Sequence, residues 1–464
     1  MRRSNLPAQT TSKSLAAGET VAPAATTRQM LALWIPLAAS IVMMVLEPSI
    51  VNIGLGRTTD VELALAAYGV AYSLALLVEA PILMILDASV AKSADRAAFL
   101  LVRRFTLVMG VVVTVIGLLV SLTPLYNLVV VDLMNIPADV AARGRPTLEI
   151  LSFWPLPVAW RRAHQGVLIR AGRTPIISVA TGLRLLTLAG GLWAGLSLLP
   201  NEGALVAGIA MVISVAVEAA VITWAAAPIL GTSQAATDSP GGLDSLLTPR
   251  ELWRFYRPLL ATTILRQASR PALNAGIAAM AAVRSSLAAW PVVWGFITLI
   301  AGPVWSLQQL TTAMAGDRQT HQRVWRFSMG LSITSSALTA LVAFTPLYGM
   351  VMGKVYNLSS ELQAVARPAV QILVLYSVLV GVQSVYRGAL IRCGHTRAVR
   401  TAMVINLGVL VGSLLAGVAL GGITGAVLAA IATMTSNLVE GAWLRHERPS
   451  FSANDRRESD ARCW

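Results

Sequence analysis

The chain matches itself, without a gap, at an offset of 222 residues. Pro36-Leu37 falls on Pro258-Leu259, Asn52 on Asn274, Pro81 on Pro303, Asp95-Arg96 on Asp317-Arg318, and Arg104-Phe105 on Arg326-Phe327. Thr123-Pro124-Leu125-Tyr126 falls on Thr345-Pro346-Leu347-Tyr348, Arg145-Pro146 on Arg367-Pro368, and Glu218 on Glu440. Gly166-x-Leu-Ile-Arg-x-Gly-x-Thr174 falls on Gly388-x-Leu-Ile-Arg-x-Gly-x-Thr396. A chain built this way must fold as two similar units, which limits it to architectures assembled from internal repeats.

The repeated unit is apolar. Hydrophobic residues make up 56% of the chain and charged residues 12%, too apolar and too poor in charge for a soluble protein of this length. Stretches long enough to span a bilayer as helices fall near 30–55, 62–87, 101–122, 146–170, 176–199, 204–229, 252–280, 286–313, 325–346, 366–391, 399–420 and 424–444. The expected fold is therefore all-α and integral to the membrane, with twelve spans as two six-helix units. Six is an even number, so both units enter the membrane in the same sense, as parallel repeats with a substrate path between them. The expected domains are a polar tail at 1–29, bundles at 30–230 and 251–445, a Gly/Ser/Thr-rich linker at 231–250 and a second tail at 446–464. Residues 1–29 lack the short apolar stretch and cleavage site of a signal peptide.

The net charge of +14 reports orientation rather than nucleic-acid binding. With both termini cytoplasmic, the inner tails and loops hold 24 Lys and Arg and the opposite loops hold six, Arg57, Arg143, Arg145, Arg284, Lys354 and Arg367. That asymmetry predicts that both termini are cytoplasmic; separately, we expect a bacterial inner membrane, contacts with membrane lipids and a monomer. Cys393 and Cys463 fall on the cytoplasmic side, where a disulfide does not persist. His164, His321, His395 and His446 have no metal-ligand spacing, and no Walker-type phosphate loop is present. Neither an enzyme, a metal site nor a cofactor is expected, and transport would draw on an ion gradient.

The offset also sorts the charges. Those in both copies, Glu218 and Glu440 among them, are mostly placed at membrane edges and read as architecture. Those in one copy break the symmetry, as a transported molecule does. Glu47, Glu79, Asp87, Arg161, Arg162 and Arg184 stand against Ser269, Ala301, Gln309, Gln383, Ser384 and Asn406, whereas Arg266, Arg270 and Arg387 stand against Met44, Pro48 and Gln165. Charge inside hydrocarbon is expensive, so this set is the candidate site. Arg266 and Arg270, four residues apart, share a helix face. With Arg161, Arg162, Arg387 and His164 they would bind an anion, since guanidinium forks match carboxylate and phosphate. Glu47, Glu79 and Asp87 would couple to a proton or sodium ion, or would lock the arginines into one conformation. His164 reads equally as a proton site or as helix packing. The twelve tryptophans and eight tyrosines read as interfacial anchors, and the in-span prolines Pro36, Pro81, Pro258 and Pro303 as kinks.

Several motifs resemble the progressive ankylosis protein family. They are Ala67-Tyr68-Gly69-Val70-Ala71-Tyr72-Ser73-Leu74, Phe153-Trp154-Pro155-Leu156-Pro157, Ala159-Trp160 with His164-x-Gly166, and Ser269-Arg270-Pro271-x-x-Asn274. That family belongs to the multidrug, oligosaccharidyl-lipid and polysaccharide exporter superfamily. The resemblance implies two six-helix bundles around a V-shaped cleft, rocker-switch alternating access and export of anions such as pyrophosphate, nucleotides or citrate. Arg270 and His164 are the candidate residues that fall on its motifs; Arg266 rests on the physical reading alone. Rival readings are a multidrug exporter of cations using Glu47 or Glu79, a lipid-linked precursor flippase, a non-transporting scaffold, and, for topology, a major-facilitator fold.

Overall fold

A computed structural model describes residues 26–93, 96–232, 248–314 and 318–447. Most of both expected tails, most of the linker, and Asp95, Asp317 and Cys463 lie outside the described residues. The described chain is helical: α1 (Thr27–Leu55), α2 (Val61–Glu79), α3 (Ile85–Lys92), α4 (Arg96–Leu122), α5 (Leu125–Asn127), α6 (Ala138–Leu151), α7 (Pro155–Arg170), α8 (Thr174–Leu198), α9 (Gly203–Thr232), α10 (Pro249–Ala278), α11 (Val283–Trp305), α12 (Leu307–Met314), α13 (Arg318–Phe344), α14 (Ser360–Ile372), α15 (Tyr376–Arg392), α16 (Thr396–Leu420) and α17 (Gly425–His446).

Local chemistry sets the ends and breaks. Both α1 and α10 begin with a capping box. The Thr26 hydroxyl accepts from the Gln29 N–H while the Gln29 side chain accepts from the Thr26 N–H at 2.8 Å, and Thr248 and Glu251 repeat the exchange. Helix α1 thus starts three residues inside the expected tail. At Pro81 the chain leaves α2 for a 3-10 turn, Ala80–Met84, before α3, and near Pro303 it breaks between α11 and α12. The missing proline donor explains both. Asn135 and Asn357 sit in the left-handed region, at φ 54° and 55°, each just after a π-helical turn. Asparagine tolerates that conformation better than most residues.

Ten helical stretches among the described residues are long and apolar enough to cross a membrane, as an integral membrane protein requires. The sequence led us to expect twelve. The two that fall short are 138–170, which breaks into α6 of 14 residues and α7 of 16 and carries Arg143, Arg145, Arg161 and Arg162, and α10, which is 30 residues long but carries Arg254, Arg257, Arg266 and Arg270. Bare apolar faces occur on α4 (Val108, Val111, Val115, Leu119), α8 (Leu186, Trp193) and α16 (Leu415, Leu420), where only lipid could cover them in a single copy.

Helix α1 packs on α11, and α2 on both α10 and α11. Between the two copies, three hydrogen bonds are exchanged in pairs. Asn52 Nδ2 donates to the Pro291 carbonyl at 2.8 Å, and Asn274 Nδ2 to the Gly69 carbonyl at 3.4 Å. Trp34 Nε1 donates to the Pro303 carbonyl at 3.2 Å, and the Tyr256 hydroxyl to the Pro81 carbonyl. Asn135 donates to Ala278 O at 3.4 Å, and Asn357 to Gly56 O at 2.6 Å. In every pair the two donors are 222 apart, and so are the two acceptors. At one end of the molecule Arg284, at the start of α11, ties Asp60 Oδ2 (2.7 Å) to Asp139 Oδ2 (3.1 Å), with Glu62 at 4.0 Å.

Candidate functional site

Two carboxylates common to both copies organise the buried charge. Glu218, fully buried in the middle of α9, accepts from Arg161 Nη1 at 2.6 Å, Arg184 Nη1 at 3.2 Å and the Thr181 hydroxyl at 2.9 Å. Arg184 on α8 also pairs with Glu47 on α1. The result is a closed set of two carboxylates and two guanidiniums, balanced in charge as burial demands. Glu440 on α17 is its counterpart and pairs with Arg387 on α15, while Asn406 donates to its other oxygen at 2.9 Å. Asn406 occupies the place that Arg184 holds in the first copy.

These pairings change the reading of several residues. Glu218 is no edge residue: it lies mid-helix and takes up Arg161, which is thereby neutralised. Arg387 is neutralised by Glu440 in the same way, and Glu47 by Arg184. Arg184, one of the unshared charges, belongs to the buried frame, and so does Thr181, which the sequence did not single out. His164 does not join the arginines. Its ring is 2% exposed and packs edge-on to Phe99 at 5.2 Å and against Trp160 at 4.6 Å. Its Nδ1 faces the Trp160 carbonyl at 2.9 Å, so helix packing accounts for this histidine.

Arg162, Arg266 and Arg270 remain. None has a carboxylate within ion-pair distance among the described residues. Arg162 Nη1 donates to the Leu83 carbonyl at 3.1 Å, in the 3-10 turn that Pro81 creates, and its Nε is buried without a partner. Glu79, Asp87 and Tyr256 lie within its electrostatic reach. Glu79 closes α2 at 2% exposure with no ion pair or side-chain hydrogen bond among the described residues, while Asp87 is exposed on α3. On α10, Arg266 is exposed and Arg270 half-buried, and neither makes a side-chain hydrogen bond. Arg266 is in electrostatic reach of Arg270 and Arg387. Arg266, Arg270 and Arg387 therefore converge; of these only Arg387 has a carboxylate in ion-pair contact among the described residues, Glu440, while Glu79 shares the surroundings of Tyr72 with Arg270.

No family model matches the chain, and no curated protein matches it. Solved structures do. An inward-facing multidrug resistance MATE family transporter of the MOP superfamily aligns over 89% of this chain and 97% of its own, with a TM-score of 0.64 at 13% identity. The fold is MATE-like. A MOP superfamily transporter from Pyrococcus furiosus, described as having a binding pocket of reverse polarity, aligns over 90% of this chain and 94% of its own with a TM-score of 0.59 at 14% identity. The lipid II flippase MurJ, in an inward closed conformation, aligns over 90% and 88% with a TM-score of 0.61 at 12% identity. Structures of this fold thus carry the names of a multidrug resistance transporter and of a lipid II flippase, and the fold alone assigns this chain neither role.

The aromatic residues also depart from expectation. Trp193 and Trp224 are 77% and 79% exposed, as membrane anchors would be. Tyr68, Tyr72, Trp290 and Trp294 instead stack within the MATE-like core, at spacings of four residues along α2 and α11. That spacing, read with the 222 offset, was the available signal.

Proposed function

We propose that this protein is a gradient-driven secondary transporter that exports a small organic or phosphorylated anion by alternating access. Its two parallel six-helix units would rock about a path between them, with both termini on the cytoplasmic side of a bacterial inner membrane. The observation that carries this reading is the pair Arg266 and Arg270 on α10, two guanidiniums four residues apart, neither in ion-pair contact with a carboxylate among the described residues. An unpaired charge within a helix of the bundle is expensive in the membrane and is by default a candidate for function. Arg162 supplies a third donor, and Arg161 and Arg387 shape the field from within their pairs. Glu79 and Asp87, which face Arg162 without an ion-pair contact, are the coupling carboxylates for a proton or sodium ion; Glu47 serves the buried frame.

A second reading is favoured by Glu79 itself. A buried carboxylate with no ion-pair partner would suit export of a cationic compound, with the arginines as counter-charges. The two are separated by thermal stabilisation of purified protein against size-matched anions and cations. The anion reading expects anions to raise the unfolding midpoint, and Arg270→Gln to remove the rise while leaving the unliganded midpoint in place. Stabilisation by cations alone, lost in Glu79→Gln, would overturn it.

A further inference from the structure

Two aromatic ladders occupy matching places. In the first, Tyr68 stacks on Tyr72 at 5.4 Å between ring centroids and Tyr72 meets Trp154 at 5.7 Å. In the second, Trp290 stacks on Trp294 at 5.8 Å and Trp294 meets Tyr376 edge-on at 5.4 Å. Each residue of one ladder is 222 from its partner in the other. The ladders are not sealed, since Tyr72 and Trp294, the middle rung of each, are partly exposed.

Arg270 lies alongside them. One turn further along α10, Asn274 donates to the Ser73 hydroxyl at 2.8 Å, and on the other side Gln267 donates to the Leu76 carbonyl at 3.5 Å. Arg270 is therefore level with residues 73–76 of α2, next to Tyr72, and it is within electrostatic reach of both Tyr72 and Tyr376. A second observation concerns the polar atoms of the first ladder. The Tyr68 hydroxyl and Trp154 Nε1 are buried donors without any hydrogen-bond partner, on side chains only 3% and 5% exposed. Buried tyrosine and tryptophan donors normally find an acceptor.

We propose that the transported anion carries a planar aromatic ring, which stacks on Tyr72 or Trp294 while its carboxylate or phosphate engages Arg270. The orphan donors of Tyr68 and Trp154 offer hydrogen bonds to acceptor atoms on or beside the ring. This rests on the anion reading above and narrows it from charge to shape. An aliphatic anion would satisfy the arginines and leave the ladders unused.

The test compares benzoate with cyclohexanecarboxylate, equal in charge and similar in size, by ligand-induced stabilisation of the purified full-length protein. Benzoate is expected to bind about fivefold tighter, the ratio that an aromatic contact of about 1 kcal/mol supplies. Tyr72→Leu and Trp294→Leu should bring the ratio to within about twofold without weakening cyclohexanecarboxylate, whereas Trp294→Phe, which keeps a ring, should preserve it. Arg270→Gln should weaken both ligands in parallel. Equal affinities in the unaltered protein, or a ratio indifferent to both leucine variants, would overturn this inference and leave the anion reading standing. Binding of neither carboxylate would overturn both.

Discussion

The buried set Glu47, Arg184, Glu218 and Arg161 makes a quantitative claim about balance. Arg184→Asn leaves Glu47, which is 4% exposed, with no cation in contact. Glu47→Ser leaves two guanidiniums sharing the single carboxylate of Glu218. Each single substitution strands one buried charge, which costs about 3–5 kcal/mol. The double substitution removes one charge of each sign and installs the residue types that the second copy carries at Ser269 and Asn406. There the surviving arrangement, with Asn406 and Arg387 on Glu440, is already stable. The double variant is therefore expected to be more stable than either single, which sets a coupling energy of at least about 3 kcal/mol. Reversible unfolding in mixed micelles, applied to the four proteins of the cycle, measures it. If the two single losses add to within about 0.5 kcal/mol, the residues act independently and the balanced-set account is wrong.

Two further perturbations probe packing and the Arg284 tie. A methyl group at Gly425 would lie 2.6 Å from the Ile277 carbonyl oxygen, a backbone atom with little room to yield, so Gly425→Ala should lower unfolding stability by about 1–3 kcal/mol. Gly412 on α16 has nothing within 4 Å of such a methyl, and Gly412→Ala should be neutral or stabilise by up to about 1 kcal/mol in the same assay. The Arg284 contacts are 40–50% exposed on the side chains of Arg284, Asp60 and Asp139, and each such pair contributes about 1 kcal/mol or less. Arg284→Ala should therefore lower the thermal midpoint at low salt, and the gap to the unaltered protein should narrow as salt is raised.

The frame was legible because its signals are local or repeated. Pro81 and Pro303 mark chain breaks through the donor they lack, and Thr26 and Thr248 mark helix starts through a residue three positions on. Arg266 and Arg270 were recognisable as a pair on one helix by spacing alone. The pairing of Arg161 with Glu218 was not. Those residues are 57 apart and meet only because α7 packs on α9. Sorting by the offset marked Glu218 and Glu440 as architecture but could not join them to Arg161 and Arg387, because the arginines they bind differ between copies. Arg161 and Arg387 fall one turn apart when the copies are superposed, yet each reaches the equivalent carboxylate. Periodicity carries no trace of that convergence. The ladders were hidden for a related reason: tryptophan and tyrosine suit a membrane interface and a stacked interior equally, and only packing tells them apart.

The exchanged hydrogen bonds have a consequence of their own. When residue i of one body bonds residue j of another, and j's body returns the same bond, the interface is isologous, the kind that two identical subunits make about a two-fold axis. Asn52 with Asn274, Trp34 with Tyr256 and Asn135 with Asn357 preserve that grammar inside one polypeptide. The connection between the halves then acts as a tether that raises the effective concentration of two surfaces already made for each other. Within one chain the two halves need not be identical, and the unmatched arginines of α10 are what a strict homodimer could not keep on one side alone.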